Sequence, residues 1–259
     1  AEWDGVKAAA VHKAEADDRA GAAALVRAFH GRLCAVRVLD PACGTGNFLY
    51  VTLELMKRLE GEVLDLFADL AAERGEAGQA AMDLGGASVD PHQFLGIEKN
   101  PRAVPVAELV LWIGYLQWHF RTRGAAPPAE PILRDFHNIR EGDALLTYDR
   151  EEADRDAKGD PVTRWGGGTK LHPITGEVVP DETDRVLVLR PGGTKPTPWP
   201  EAEYIVSNFP FVAGKDLRAE LGDGYAEALW ATYPKVGKAA DLAMHFWWKA
   251  AQEVAVGKA

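Results

Sequence analysis

The 259-residue sequence predicts an α/β fold, an open and mostly parallel sheet with flanking helices. Three observations carry this. Val36–Asp40 is a short apolar run ending in an acid, followed by a Gly-rich turn and a helix-like stretch from Asn47. Phe94–Glu98 repeats the pattern of strand then acid, again with helical periodicity after it. Two further strand-like pieces end in Asp143 and Asn208, and in a parallel sheet such ends share one crevice.

In chain order, residues 1 to 20 are rich in Ala, Asp and Glu with little periodicity and read as a frayed helix or a disordered lead-in. Leu25, Phe29 and Leu33 recur every four residues and predict a helix over Ala22–Leu33. After the turn, Leu49, Leu53, Met56, Leu59, Val63 and Phe67 predict one long amphipathic helix from about Asn47 to Ala72. Gly75–Asp90 is a loop by composition. Asn100 and Pro101 cap the next helix, whose apolar side runs through Val106, Val110, Ile113 and Leu116 to Trp118. Pro105 leaves two alternatives, an irregular first turn or a start later than Pro101.

Pro127, Pro128 and Pro131 break the chain before a third strand-like edge over Asn138–Ala144. From about 150 to 200 the texture turns to charge, proline and the run Gly166–Gly168, with β-like pieces at Pro161–Trp165, Glu177–Val179 and Arg185–Leu189. We read this as a hairpin-rich insertion in a single domain spanning 1–259, because its few apolar residues could not form a core. Tyr204–Ser207 is the fourth core strand, and helices over Gly222–Tyr233 and Asp241 to about Val254 close the chain, the second N-capped by Asp241.

Composition narrows the function classes. Cys34 and Cys43 make no disulfide framework, which points to a reducing, cytoplasmic setting. No apolar run approaches the roughly 20 residues of a membrane span, and no signal peptide is visible. The seven histidines form no i, i+4 pair with one another and are expected to have no partner cysteines, so no metal is expected. A net charge of −10 argues against tight duplex binding by this chain alone, since phosphate contacts need cationic side chains.

The candidate site residues follow from the strand ends. Gly44 and Gly46 permit positive φ and let a ligand approach the backbone, while the turn residues Ala42, Cys43 and Thr45 lead to Asn47 and Phe48 at a helix N-terminus. Leu49 stands where a dinucleotide fingerprint would carry its third glycine, and no Lys-Ser or Lys-Thr pair makes a P-loop. A carboxylate at Glu98 can accept both hydroxyls of a ribose.

The string from Asp40 to Leu49 resembles the first motif of class I S-adenosylmethionine-dependent methyltransferases, in the form used by DNA amino-methyltransferases. Asn208-Phe209-Pro210-Phe211 resembles their Asn-Pro-Pro-Phe motif at three of four positions. Gly214, Lys215, Glu220–Asp223, Tyr225 and Ala240–Leu242 are similar to the following segment of type IIL restriction-modification and phage-defence adenine methyltransferases.

The resemblance implies a Rossmann-like core that binds S-adenosylmethionine and methylates adenine N6 in DNA. Asp143 would then accept from the cofactor's adenine amino group and Ala144 would offer its amide to the ring. The side-chain oxygen of Asn208 and the carbonyl of Phe209 would accept the two N–H hydrogens of the target amine, freeing its lone pair, with Pro210 stiffening the loop and Phe211 stacking on a flipped base. The family sheet has more strands than the four read here. The remaining strands and a DNA-recognition part are therefore expected beyond Ala259, and Ala1 in place of Met also suggests a fragment.

Phe209 departs from the family pattern. It gives up the fixed φ by which a proline would aim the carbonyl, and its ring is expected to crowd the space shared by Phe211 and the base, leaving cofactor affinity intact and transfer weak or absent. Two alternatives stay open: an amino-methyltransferase for cytosine N4 or RNA, and a cofactor-binding, catalytically impaired subunit of a defence complex.

Overall fold

The computed structural model describes residues 2–72, 87–123 and 138–255. Its four-stranded sheet is parallel throughout. Strands β1 (Val38–Asp40), β2 (Phe94–Glu98) and β3 (Ile139–Glu141) lie side by side, and Tyr204–Ile205 pairs with the other edge of β1. Leu39 is opposite both Leu95 and Ile205, and Glu98 is opposite Glu141. All four strands fall where the alternation of apolar runs and acids predicts them. The chain steps outward from β1 to β3 and returns to the far side of β1, so the strand order reverses between β1 and Tyr204–Ile205, the position where open α/β sheets bind ligands.

Two amides pin the strand starts. Gln93 Nε2 donates to the carbonyls of Leu33 and Val36, and Asn138 Nδ2 donates to those of Pro91 and Phe94. Helix α1 (Glu2–Glu15) gives order to the lead-in. Its indole Trp3 stacks at 5.0 Å on Phe29 of α2 (Arg19–Ala35), and the alanines between Trp3 and Ala14 hid that periodicity because they add little hydrophobic signal.

Helix α3 runs from Asn47 to Ala72 as predicted, but its buried seam differs from the apolar stripe. Lys57 and Glu60 lie in the seam with Leu49, Leu53, Val63 and Phe67, while Met56 and Leu59 are only partly buried. Helix α4 (Val104–Arg123) starts after Pro101, with Asn100 capping the preceding turn through its side chain on the Arg102 amide. Its buried side includes Ala107 and Leu111, with Ala103 buried just before it, rather than Val106 and Ile113, which are exposed. The helix is apolar on most of its circumference, so periodicity could not select the face. The loop predicted at 75–90 and the prolines at 127–131 lie largely outside the described residues.

Internal packing divides the chain into two units. The first holds the described residues of Ala1–Gly142 with Trp199–Asn208 and Val254–Ala259; the second holds Asp143–Pro198 and Phe209–Glu253. In the second, antiparallel pairs join Arg150–Ala153 to Leu189–Gly192, Thr163–Trp165 to Arg185–Leu187, and Thr169–Leu171 to Val178–Pro180. Helices Leu217–Leu221, Asp223–Thr232 and Leu242–Ala255 follow. Among the described residues no helix is long and apolar enough to cross a membrane.

Candidate active site

Asp40 closes β1 and is 1% exposed. Its Oδ1 accepts from the Ala42 amide at 3.0 Å and from Ser207 Oγ at 2.6 Å. Burial raises its pKa, the two hydrogen bonds pull it back down, and the charge of Glu98 adds to the rise. Ser207 had no signal in the sequence, yet it ties the end of β1 to the residue just before Asn208, and the Val206 amide on the Leu39 carbonyl at 2.9 Å extends the pairing to that point.

Ser207→Ala removes the donor and leaves a buried carboxylate short of a partner, a loss of about 1–3 kcal/mol. Denaturant unfolding of Ser207→Ala beside Ser207→Thr should show the loss in the first and recovery in the second. Equal stability of Ser207→Ala and wild type would mean that the bond carries nothing.

The turn that follows is shaped by two glycines and one cysteine. Gly44 and Gly46 have φ of 55° and 85°, a region that favours glycine. Gly46 also lies against α4, where an added Cβ would come within 3.2 Å of the Ala107 backbone. Cys43 sits over Gly96 of β2, where a Cβ would be 2.7 Å from its sulfur, and its amide donates to the Ile97 carbonyl. Burial pushes its thiol up to about 12, so the sulfur is packing and no nucleophile. Thr45, Asn47 and Phe48 are exposed around the start of α3.

Glu98 does more than end β2. Its Oε2 accepts from the Gly44 amide at 2.9 Å and its Oε1 from the Asn100 amide at 2.7 Å, so the second strand's carboxylate holds the first strand's turn. A carboxylate has about four lone-pair sites. One on each oxygen is taken by an amide, which leaves capacity for the two hydroxyls of a ribose. Apart from Gly44 and its two chain neighbours, no described atom lies within 4 Å of where a Cβ on Gly44 would be, so the face of the turn is open there.

The second unit contains Asp143 and Ala144. Asp143 Oδ1 accepts from the amides of Leu145 and Leu146, and Oδ2 accepts from the Tyr225 hydroxyl at 2.7 Å. Ala144 is buried beside it. Burial first, then the Asp143 charge, raises the pKa of Tyr225, which therefore remains a donor at neutral pH. Tyr225 thus orients Asp143, a link that their 82-residue separation concealed.

Asn208, Pro210 and Phe211 are exposed, Phe211 by 81%. Phe209 is the exception at 7%. Its ring stacks on Phe246 at 4.9 Å between centroids and meets Trp247 edge-on at 5.8 Å. The expectation that this ring fills the space beside Phe211 is therefore corrected. An aromatic side chain gains more by burying against the aromatic face of helix Leu242–Ala255 than by lying in an open loop. Asp241, expected as that helix's N-cap, accepts from the Gly214 amide at 2.9 Å.

The sequence reading also passed over a cluster away from these residues. His30 and Cys34, one helical turn apart on α2, place ligand-type atoms within 4.8 Å of one another and of Glu60. The pairing of a histidine with a cysteine four residues on is visible in the sequence, and Glu60 is not, because it belongs to another helix. Lys57 Nζ donates to Glu60 Oε2 at 2.9 Å and to Ser88 Oγ at 2.8 Å, and lies 4.3 Å from the Trp118 ring centre. The Val89 amide donates to Glu60 Oε1. The Glu60 charge is thus balanced by Lys57, and burial pushes the Cys34 thiol up to about 12, which disfavours the thiolate a metal would require.

DNA methyltransferase A of Bacillus subtilis (strain 168) is 37% identical over 82 residues, which make up 32% of this chain and 8% of that protein. The structure of the type IIL restriction-modification enzyme MmeI in complex with DNA matches 47% of this chain and 16% of its own, with 28% identity and a TM-score of 0.37. The chain therefore spans a small part of these relatives. The family model of the MmeI DNA-methyltransferase domain, in contrast, matches residues 12–258, and the chain belongs to that family.

Proposed function

We propose that this chain transfers a methyl group from S-adenosylmethionine to the N6 amine of adenine in DNA, within a restriction-modification or phage-defence system. The observation that carries the reading is the Ser207–Asp40 hydrogen bond, which joins the strand leading to Asn208 to the strand leading to the Gly-rich turn, at the reversal of strand order. Bound S-adenosylmethionine would supply a sulfonium-activated methyl group. Its ribose hydroxyls suit Glu98, and its approach to the backbone suits the open face of Gly44, with Asp40, Ala42, Cys43, Thr45, Gly46, Asn47 and Phe48 completing the turn. Asp143 and Ala144 are assigned to the adenine ring of the cofactor.

On the acceptor side, the Asn208 side-chain oxygen and the Phe209 carbonyl accept the two hydrogens of the target amine, which shifts the nitrogen toward tetrahedral and exposes its lone pair. As the N–C bond forms the S–C bond breaks, so the sulfonium would leave as the neutral thioether and the amine would take the positive charge; its N–H becomes acidic only then and passes a proton to water, so both acceptors stay neutral and no strong base is needed. Phe211, exposed and aromatic, suits a base lifted out of the stack. DNA recognition is assigned to parts of the protein outside this chain, in keeping with the charge of −10, and defence-complex subunits are candidate partners. The segment 150–200 is assigned as an insertion in the methyltransferase core. The impaired-subunit alternative drew on two effects of Phe209, the loss of a proline's fixed φ and crowding by the ring; the ring's burial against Phe246 speaks against the second, and the methylation assay decides on the first.

The test is direct. The protein is incubated with DNA and radiolabelled S-adenosylmethionine, and the DNA is digested to nucleosides. Label in N6-methyladenine, lost in Asn208→Ala while cofactor affinity stays within about twofold, is the expected result, because the amide acts only on the acceptor. Label in N4-methylcytosine or in RNA would move the substrate, and no label with confirmed cofactor binding would overturn the reading.

A further inference from the structure

Phe209 is the residue that breaks the family motif, and its surroundings show what the phenylalanine does there. A proline fixes its own φ and stiffens a loop from within. Phe209 has no such restriction and could surrender its position to chain entropy, at about 1–2 kcal/mol for a free backbone residue. Four features of the second unit oppose that freedom. The Phe209 ring is stacked on Phe246 with 19° between planes and stands at 84° to Trp247. The Leu242 amide donates to the Val212 carbonyl at 2.9 Å, and the Gly214 amide donates to Asp241 Oδ1 at the same distance. Gly214 lies so close to the backbone of Ala239 that a Cβ would collide with it. Ring, carbonyl, amide and bare backbone thus fasten residues 209 to 214 to one stretch, residues 239 to 247.

We propose that Phe246 and Trp247 are positioning residues for methyl transfer, which hold the Phe209 ring and thereby aim the Phe209 carbonyl, so that packing from outside the loop replaces the rigidity a proline would give from inside it. This rests on the function proposed above. It makes the motif's departure from the family pattern a substitution of one restraint for another, and it makes the first turns of helix Leu242–Ala255 part of the reaction's machinery without contact to the base. It also separates two aromatic roles that the sequence places side by side, since Phe209 is turned into the protein and Phe211 is left to the solvent.

The experiment compares wild type, Phe209→Ala, Phe246→Ala, the double variant and Phe209→Pro, each confirmed folded by circular dichroism. Methyl-transfer kcat, cofactor Kd and amide hydrogen exchange at residues 211–214 are measured on each. Expected is a fall in kcat of at least about tenfold in either alanine variant, since misplacement by about 1 Å can cost 100-fold. Cofactor Kd should stay within about twofold, and the double variant should lose no more than the worse single one, as two sides of one contact do. Exchange at 211–214 should quicken in all three. Phe209→Pro should fall below wild type, because it discards the anchored ring. Turnover in Phe209→Ala or Phe209→Pro equal to or above wild type would overturn the proposal, as would additive losses. If wild type itself transfers no methyl, the functional reading fails, and the proposal then fails with it only if exchange at 211–214 is also unchanged in the alanine variants; quickened exchange would preserve the packing restraint it describes.

Discussion

Lys57→Met, with Glu60 left in place, is expected to destabilise the protein by about 3–5 kcal/mol, the usual result of stripping one partner from a buried ion pair. Both side chains are 1% exposed, and Lys57 Nζ lies 2.9 Å from the Glu60 carboxylate. The pH dependence gives the sharper check. Burial would raise the Glu60 pKa, but the His30 hydrogen bond, the Lys57 charge and hydrogen bond, and the Val89 amide outweigh it and hold the group below its ordinary 4.5. A depressed carboxylate contributes stability that is present above its unfolded pKa and lost as pH falls through the lower folded value. In wild type the contribution of Glu60 should therefore be lost only in acid, below about pH 4.5. Without Lys57 the burial effect prevails and the folded pKa rises above the unfolded one, so the variant should be most destabilised at neutral pH and recover as protonation removes the charge. Guanidinium unfolding at pH 5 and pH 8 measures this, and a deficit equal at both would refute the ion-pair account. Replacing Lys57 and Glu60 together by apolar residues should cost less than the sum of the singles, with the Val89 and His30 donors still unmatched.

Glu98→Ala is expected to weaken S-adenosylmethionine binding by about 10- to 150-fold, from hydrogen bonds to a charged acceptor worth about 1.5–3 kcal/mol. The same substitution releases the amides of Gly44 and Asn100, so the turn loses its restraint along with the ligand. Glu98→Gln retains one carbonyl oxygen and should fall between the two, because its NH2 end cannot accept from a backbone amide. Calorimetric titration decides the matter. Binding to folded Glu98→Ala at the wild-type affinity would remove Glu98 from the cofactor site.

The sheet was legible because each strand end combines an apolar run with an acid or amide, a pattern that depends on neighbours in sequence. What escaped depends on neighbours in space. Ser207 looks like any polar residue after a strand until Asp40 is beside it, and Glu98 discloses its hold on Gly44 only when β1 and β2 are paired. Lys57 and Glu60 gave no signal as a buried pair because charged residues in the seam of an amphipathic helix are uncommon, and α2, Ser88, Val89 and the α4 aromatics that compensate them are distant in sequence. Phe209 misled in the opposite way: the motif told what the residue replaces, while the place of its ring is set by Phe246, 37 positions on, outside any local window.

The parallel pairing of Tyr204–Ile205 with β1 has a consequence for how the protein is made. The Arg37 amide bonds the Glu203 carboxylate across a separation of 166 residues, and the strand pair begins immediately after it. At about 5–20 residues per second, a ribosome needs roughly 10–30 s to deliver the partner after β1 has emerged. Thermodynamics tolerates so long a connection, since each doubling of a loop adds only about 0.6 kcal/mol. Biosynthesis does not treat it so lightly. For that interval one edge of β1 presents unpaired amides and carbonyls, the kind of surface that recruits stray strands. A nascent chain stalled before residue 204 would carry its Gly-rich turn on a sheet with β1 bare on one side, and the arrival of Tyr204–Ile205 both seals that edge and brings Ser207 to Asp40.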